Sequence, residues 1–169
     1  MSRSKAAGLV LAVHPAARGF GWALFEGEMV PVGWGVASAK GNKSAECMRR
    51  FEKLLNQYRP SALILENFAK ETSRRGERIR TLAQTMRGFA NNRDMDVLVY
   101  SREEVGTSVC RNTKATRYAV ACAVADRLPL LRRELPRPRK YWEQKDDRQC
   151  LFDAAALGIT HYTLTRPRS

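Results

Sequence analysis

Three short apolar runs separated by tight turns fill the first 36 residues, and they constrain the fold more than anything after them. Residues 8–13 (GLVLAV) read as a strand buried on both faces, since a brief continuous apolar run bounded by turn residues suits the middle of a sheet. The run ends at HPAARGFG, where Pro15, Gly19 and Gly21 call for a tight turn. Residues 20–26 (FGWALFE) and 29–36 (MVPVGWGV) predict two more strands, with Gly27 between flanking glutamates marking a hairpin. Pro31 has no N–H to offer a neighbouring strand, which places the third strand toward a sheet edge.

After this the pattern alternates. Ser44 is a candidate N-cap for a helix through Tyr58, with Met48, Phe51, Leu54 and Leu55 at helical spacing and Pro60 closing it. Residues 61–65 (SALIL) predict a buried strand that delivers Glu66 at its end. Residues 74–92 predict a basic helix with Ile79, Leu82, Ala83, Met86 and Phe89 on one face. A strand over 96–100 follows, then a short helix capped by Ser101. A further helix opens at Asn112 or Thr113, and a last one runs over 146–162. Residues 129–145, rich in Pro, Arg and Lys, read as an exposed, mobile loop. The order predicts one α/β domain over 1–169: a mixed sheet of about five strands, the first three antiparallel, flanked by helices.

Charge narrows the function. Thirty Lys and Arg against 17 Asp and Glu leave a formal charge of +13 on 169 residues. Such an excess attracts polyanions and favours phosphate contacts with counterion release, and arginine suits bidentate phosphate binding. A surface built for solubility would mix both signs, so nucleic acid is the expected partner. No apolar run is long enough for a bilayer, and the short apolar stretch after the basic N-terminus does not make a signal peptide. A cytoplasmic protein with no membrane partner is the expectation. Cys47, Cys110, Cys122 and Cys150 form no CxxC and no zinc spacing with His14 or His161, so reduced core or helix-face residues are expected.

Two acidic positions stand out. Glu66 follows SALIL directly, where an α/β sheet tends to hold functional groups, although a solvated strand end is the plain alternative. Asp153 sits among Leu151, Phe152, Ala154, Ala155, Ala156 and Leu157, where a carboxylate is costly without a partner, so a metal or a cation is implied beside it. Asp146 lies seven residues earlier, two turns away on the same helical face, though charges at a helix start often serve only the macrodipole.

These stretches carry a resemblance. LAVHPAARGFGWALFEG resembles the first hairpin of RuvC-type resolvases, which reads as an apolar strand, Asp-Pro-Gly and a Gly-rich turn into the second strand. ALILENFAKE resembles their second motif, a strand ending in a metal-binding Glu and followed by an aromatic. DDRQCLFDAAALGITHY is similar to their last helix, which brings two acidic groups to the first strand. Order and approximate spacing match over nearly the whole chain. Other ribonuclease H-like proteins, including YqgF-type resolvases, are the next relatives in line. The resemblance implies a ribonuclease H-like fold.

It also implies a two-metal centre that activates water and stabilises the leaving oxygen of a phosphodiester. The matching positions are His14, Glu66, Asp146 and Asp153, with Mg²⁺ or Mn²⁺ as the divalent metal and Asp147 as an alternative to Asp146. The closer spacing common in the family would place that partner at Cys150, which does not suit a hard metal. His14 is the departure, since the family has an aspartate there. An imidazole offers one lone pair, leans toward Mn²⁺ or Zn²⁺ over Mg²⁺, and lowers the attraction for a second ion. Arg111 and Lys114 resemble the basic residues that open the corresponding family helix, and Lys114 would approach the scissile phosphate with the catalytic set. Phe68 matches the aromatic thought to stack on an unpaired base, with an ordinary core phenylalanine as the alternative. Lys70, Arg74, Arg75, Arg78 and Arg80, in KETSRRGERIR, would position phosphates. Arg132, Arg133, Arg137, Arg139 and Lys140 form either an arm that orders on DNA or a basic linker. The implied protein is a homodimer that binds branched DNA, Holliday junctions first, and cuts it as a metal-dependent endodeoxyribonuclease. The alternative is a nuclease relative that binds without cutting, as a subunit of a larger assembly.

Overall fold

The computed structural model describes residues 8–39, 43–68, 74–138 and 148–166, with only the backbone at residues 74 and 75. Among them β1 (Val10–Ala16), β2 (Gly19–Gly27), β3 (Val30–Ser38), β4 (Ala62–Glu66) and β5 (Asp96–Tyr100) form one sheet in the order β3-β2-β1-β4-β5. β1, β2 and β3 pair antiparallel, while β4 runs parallel to β1 and β5 parallel to β4. The α/β class and the antiparallel first three strands are as the sequence predicts, and β3, with Pro31, is an edge strand.

β1 runs past the predicted end of the apolar run. Its ladder with β2 continues through His14↔Gly21, Pro15↔Phe20 and Ala16↔Gly19, which leaves Ala17 and Arg18 as the turn. Gly19 takes φ 148°, and a Cβ there would lie 1.8 Å from the Ala37 carbonyl oxygen, so the turn needs glycine. Pairing with β4 ends at Ala12, so Pro15 has no ladder partner on that side to disappoint.

The helices are α1 (Lys43–Tyr58), α2 (Arg74–Asn91), α3 (Arg102–Cys110), α4 (Arg117–Arg127) and α5 (Gln149–Thr165). Strand side chains alternate, and the alternation sorts the core into two layers. Leu11, Val13, Leu24, Leu63 and Leu65 pack with Phe51 and Leu55 of α1 and with Leu82 and Met86 of α2. Val10, Ala12, Ala23, Phe25, Ala62 and Ile64 face the other way, against α3, α4 and α5. α5 is apolar nearly all round, buried from Cys150 to Thr160, as a helix enclosed on every side must be.

Three boundaries differ from the sequence reading. α4 opens at Thr116, whose side chain accepts from the Ala119 N–H, rather than at Asn112 or Thr113. The Asn112 side chain is instead taken up locally, accepting from the Lys114 N–H, so it closes a turn and does not start a helix. Residues from 129 onward are not loop throughout: Pro129–Glu134 forms a 3-10 helix that buries Leu131, and Arg132 donates to the Ala125 carbonyl. α5 begins at Gln149, and residue 146 lies outside the described residues. Ser101 does cap α3, through a full capping box with Glu104. Cys47 and Cys150 are buried, Cys110 and Cys122 are half-buried on α3 and α4, and none of the four is in a disulfide. Among the described residues no helix is long and apolar enough to cross a membrane.

Gly88 in α2 is expendable. A Cβ there meets nothing within 4 Å, so Gly88→Ala removes the entropy penalty of glycine in a helix at no steric cost. The variant is expected to be more stable by about 0.5–1 kcal/mol, read as a rise in Tm of about 2 °C in thermal unfolding.

Candidate functional site

Strand parity assembles the site. His14 shares a face with Val10 and Ala12 on β1, and Glu66 shares it with Ala62 and Ile64 on β4. The two strands are parallel, so both residues arrive at the same carboxyl edge of the sheet, the usual place for functional groups in an α/β fold. α5 crosses that face and delivers Asp153. His14, Glu66 and Asp153 are 6%, 8% and 7% exposed, so three polar groups share a nearly dry pocket. The close approach of α5 depends on small residues. A Cβ on Gly21 of β2 would lie 2.2 Å from the Cys150 carbonyl, and one on Gly158 would lie 2.2 Å from the Phe25 ring.

A fourth residue completes the pocket, and the motif comparison did not point to it. The Arg117 guanidinium lies with one terminal nitrogen 3.2 Å from Asp153 Oδ2 and 3.4 Å from His14 Nε2, and the other 3.8 Å from Glu66 Oε2. His14 lies between the carboxylates, with Nε2 3.6 Å from Glu66 and Nδ1 3.8 Å from Asp153. Gln149 ties the cluster together, donating from Nε2 to the Arg117 carbonyl (3.1 Å) and to Asp153 Oδ1 (3.2 Å). Nδ1 of His14 is buried without a hydrogen bond. A ring protonated only on Nδ1 accepts from Arg117 and directs Nδ1–H toward Asp153; one protonated on Nε2 faces Glu66 instead. The cation that a buried Asp153 demands is therefore a guanidinium of the chain itself.

Burial alone pushes the Glu66 carboxyl up. The hydrogen bond and charge interaction with His14, then Arg117 and Arg102, outweigh it and hold the group below its ordinary value. Arg102, half-buried in the first turn of α3, is pulled down by burial and by its neighbour Arg117, against the pull of Glu66 and Asp153. It donates to the Ala115 carbonyl, which brings the chain back from the end of α3 to the site so that Arg117 can open α4 there.

The described donors do not fit a pair of divalent ions. His14 turns one ring nitrogen to each carboxylate and spaces them apart, so it bridges the acids and does not join them around one point. Arg117 already spans both acids. Among the described residues no three His, Cys, Asp or Glu side chains are disposed to hold a metal ion. Cys150, one turn before Asp153, is buried and offers sulfur where hard ions want oxygen.

The remaining expected residues scatter. Phe68 is buried and meets the His14 ring edge-on, with centroids 5.5 Å apart, so it walls the pocket. Arg78 donates to the Ala17 carbonyl in the β1–β2 turn and thus flanks the same edge of the sheet. Arg80 is half-buried on α2. Lys114 is exposed in the turn before α4, three residues short of the arginine that reaches the acids. Arg111 ends α3 in a left-handed conformation, φ 56°, and lines a cleft with Glu28, Met29, Arg127 and Arg166 at the opposite end of the sheet. Lys70, Asp146, Asp147, Arg139 and Lys140 lie outside the described residues, as do the side chains of Arg74 and Arg75.

No family model matches the sequence, and no curated protein does. Among solved structures the fold has clear counterparts. The RuvC of T. thermophilus in complex with a Holliday junction substrate superposes with a TM-score of 0.72 at 19% identity, over 94% of this chain and 95% of that one. The structure of Thermus thermophilus RuvC gives 0.69 at 20% identity, over the same shares. The yeast mitochondrial Holliday junction resolvase Ydc2 gives 0.57 at 13% identity, over 94% of this chain and 81% of that one. The chain thus has an α/β fold of the ribonuclease H-like class. Within that class it is similar to the RuvC-type resolvases, as its motifs imply, and at these identities the likeness is one of fold.

Proposed function

We propose that this chain binds branched DNA, with the four-way Holliday junction as first candidate, and that it does so as a homodimer. One observation carries the reading: the arginine-bearing pocket of His14, Glu66, Asp153 and Arg117 stands at the carboxyl edge of a RuvC-type sheet. An excess of 13 positive charges supports it by supplying sequence-independent attraction for phosphate. Arg78 of α2, which donates to the Ala17 carbonyl at that edge, would provide a phosphate contact that sets register, and the sequence run with Lys70, Arg74, Arg75 and Arg80 would add further basic contacts. A junction has two-fold symmetry, and a two-fold dimer matches it with paired pockets.

Binding without cutting is the form the pocket favours, because its described donors do not fit two ions. Metal-dependent hydrolysis is the second reading, supported by Glu66 and Asp153 meeting where the resolvase motifs place them. One experiment addresses both. Fluorescence anisotropy should give an affinity for a labelled four-way junction about tenfold or more above that for duplex of the same sequence, falling steeply with salt. Equal affinities would remove the junction reading. Incubating the same samples with Mg²⁺ and with Mn²⁺ should leave the junction uncut. Paired nicks that vanish in Glu66→Gln would establish hydrolysis instead.

A further inference from the structure

We infer that Arg117 takes the place of the divalent cation in this pocket, so that a nucleic-acid phosphate is received directly on its guanidinium with no metal ion between. The inference rests on the proposed binding of branched DNA and adds how the pocket meets it.

Position makes the case first. Arg117 is in the first turn of α4, where unpaired N–H groups already give the helix a positive end and a cation is unfavourable. No acidic residue occupies that turn to offset it. Asp153 and Glu66 compensate from outside the helix, and Gln149 fastens the Arg117 backbone to the same Asp153. A side chain held by Asp153, Glu66 and His14 on an anchored backbone is a fixed part of the pocket.

Charge makes the case second. A centre built from three or four carboxylates repels a phosphodiester until metal ions neutralise it. Here two carboxylates face two guanidiniums, those of Arg117 and Arg102, and the imidazole adds no negative charge in either protonation state. The described pocket is balanced without a metal. Exposure makes the case third. The Arg117 side chain is 34% exposed while both carboxylates are 8% exposed, so an entering phosphate reaches the guanidinium before the acids behind it. Arginine in this posture is suited to a charge-assisted contact with phosphate oxygens.

The test uses the full chain and two measurements that do not depend on cutting. In the first, Mn²⁺ alone is titrated into metal-free protein and the free-ion signal is followed by electron paramagnetic resonance. The wild type should leave that signal undiminished, whereas Arg117→Gln should take up Mn²⁺, because its two buried acids have lost the guanidinium that lies between them and keep only Arg102. Arg117→Lys, which keeps the charge and much of the volume, should exclude the ion as the wild type does. In the second, junction binding is measured by anisotropy in excess EDTA. The wild type should bind undiminished, and Arg117→Gln should weaken by about tenfold or more, the scale of one charge-assisted hydrogen bond. Uptake of Mn²⁺ by the wild type that Asp153→Asn abolishes would overturn the inference. So would junction binding that requires a divalent ion, or Arg117→Gln binding like wild type in EDTA. A wild type that binds no junction at all would sink the functional proposal, and the Mn²⁺ titration would still decide which cation the pocket holds.

Discussion

Gly21→Ala is expected to lower the stability of this protein by about 3 kcal/mol although it adds a single methyl group, at the upper end of what overpacking costs. The added carbon would lie 2.2 Å from the carbonyl carbon and oxygen of Cys150 and 2.4 Å from the Leu151 nitrogen. All three are backbone atoms at the start of α5, so no side chain can rotate out of the way. α5 would have to retreat by about 1 Å, in an interior packed too tightly to absorb the shift. For a domain of this size the loss corresponds to a fall in Tm of about 6–12 °C. Gly27→Ala is the control: a Cβ there meets nothing within 4 Å, and stability should stay within about 0.5 kcal/mol of wild type. Function should suffer beyond stability, because the first turns of α5 carry Gln149 and Asp153. Junction binding measured well below the Tm should therefore weaken in Gly21→Ala and not in Gly27→Ala. A Gly21→Ala variant as stable as wild type would mean that α5 does not abut β2 and that Asp153 is not where the pocket needs it.

The same contact shows what the sequence could and could not say. Turn residues and strand period were enough to place β1 to β5 and their order of appearance, because each signal is local: GLVLAV, the glycine at 27, SALIL before Glu66. Pro31 even located an edge. The continuation of β1 through His14 to Ala16 was not legible, since a proline reads as a turn until one knows that pairing with β4 has already ended at Ala12. The start of α4 was misplaced because Asn112 and Thr116 are equally good cap residues on paper, and only the Asn112–Lys114 turn decides between them. That misplacement hid Arg117. In CRNTKATRY the arginine and lysine side chains look alike, and the motif comparison pointed to Lys114. Two signals were nonetheless present. Asp153, embedded in apolar sequence, demanded a cation, and Gln149 sits one helical turn before it, at the spacing for a side-chain hydrogen bond. What no single-sequence signal supplied was the long-range fact that α4 begins beside the carboxyl edge of the sheet.

Arg117→Gln is expected to destabilise the protein by about 2–3 kcal/mol at neutral pH, and the deficit should shrink as the solution is made acidic. Removing one member of a buried charged cluster leaves the others uncompensated, which costs more than the cluster ever contributed. The lower end of the usual range applies because the arginine is one-third exposed. The pH dependence follows from Glu66. In the wild type its carboxyl is held below its ordinary value, chiefly by His14 and then by Arg117 and Arg102, against the upward push of burial. Its contribution to stability is thus present above the ordinary carboxylate range and is lost as pH falls through the depressed value. Without Arg117, burial gains on the remaining partners and the folded-state value rises. The variant then gives up stability at neutral pH, where Glu66 must stay ionised with fewer partners, and regains ground as Glu66 takes up its proton toward and below the ordinary carboxylate range of about pH 4.3. Thermal unfolding of both proteins from neutral pH downward should show converging melting temperatures. Adding Asp153→Asn to the variant should restore part of the loss at neutral pH, since residues in direct contact do not act additively. A deficit independent of pH, with no recovery from Asp153→Asn, would place Arg117 outside the carboxylate pair. The two buried acids would then have Arg102 and His14 as their remaining partners, and a cation from solution would be needed to complete the balance.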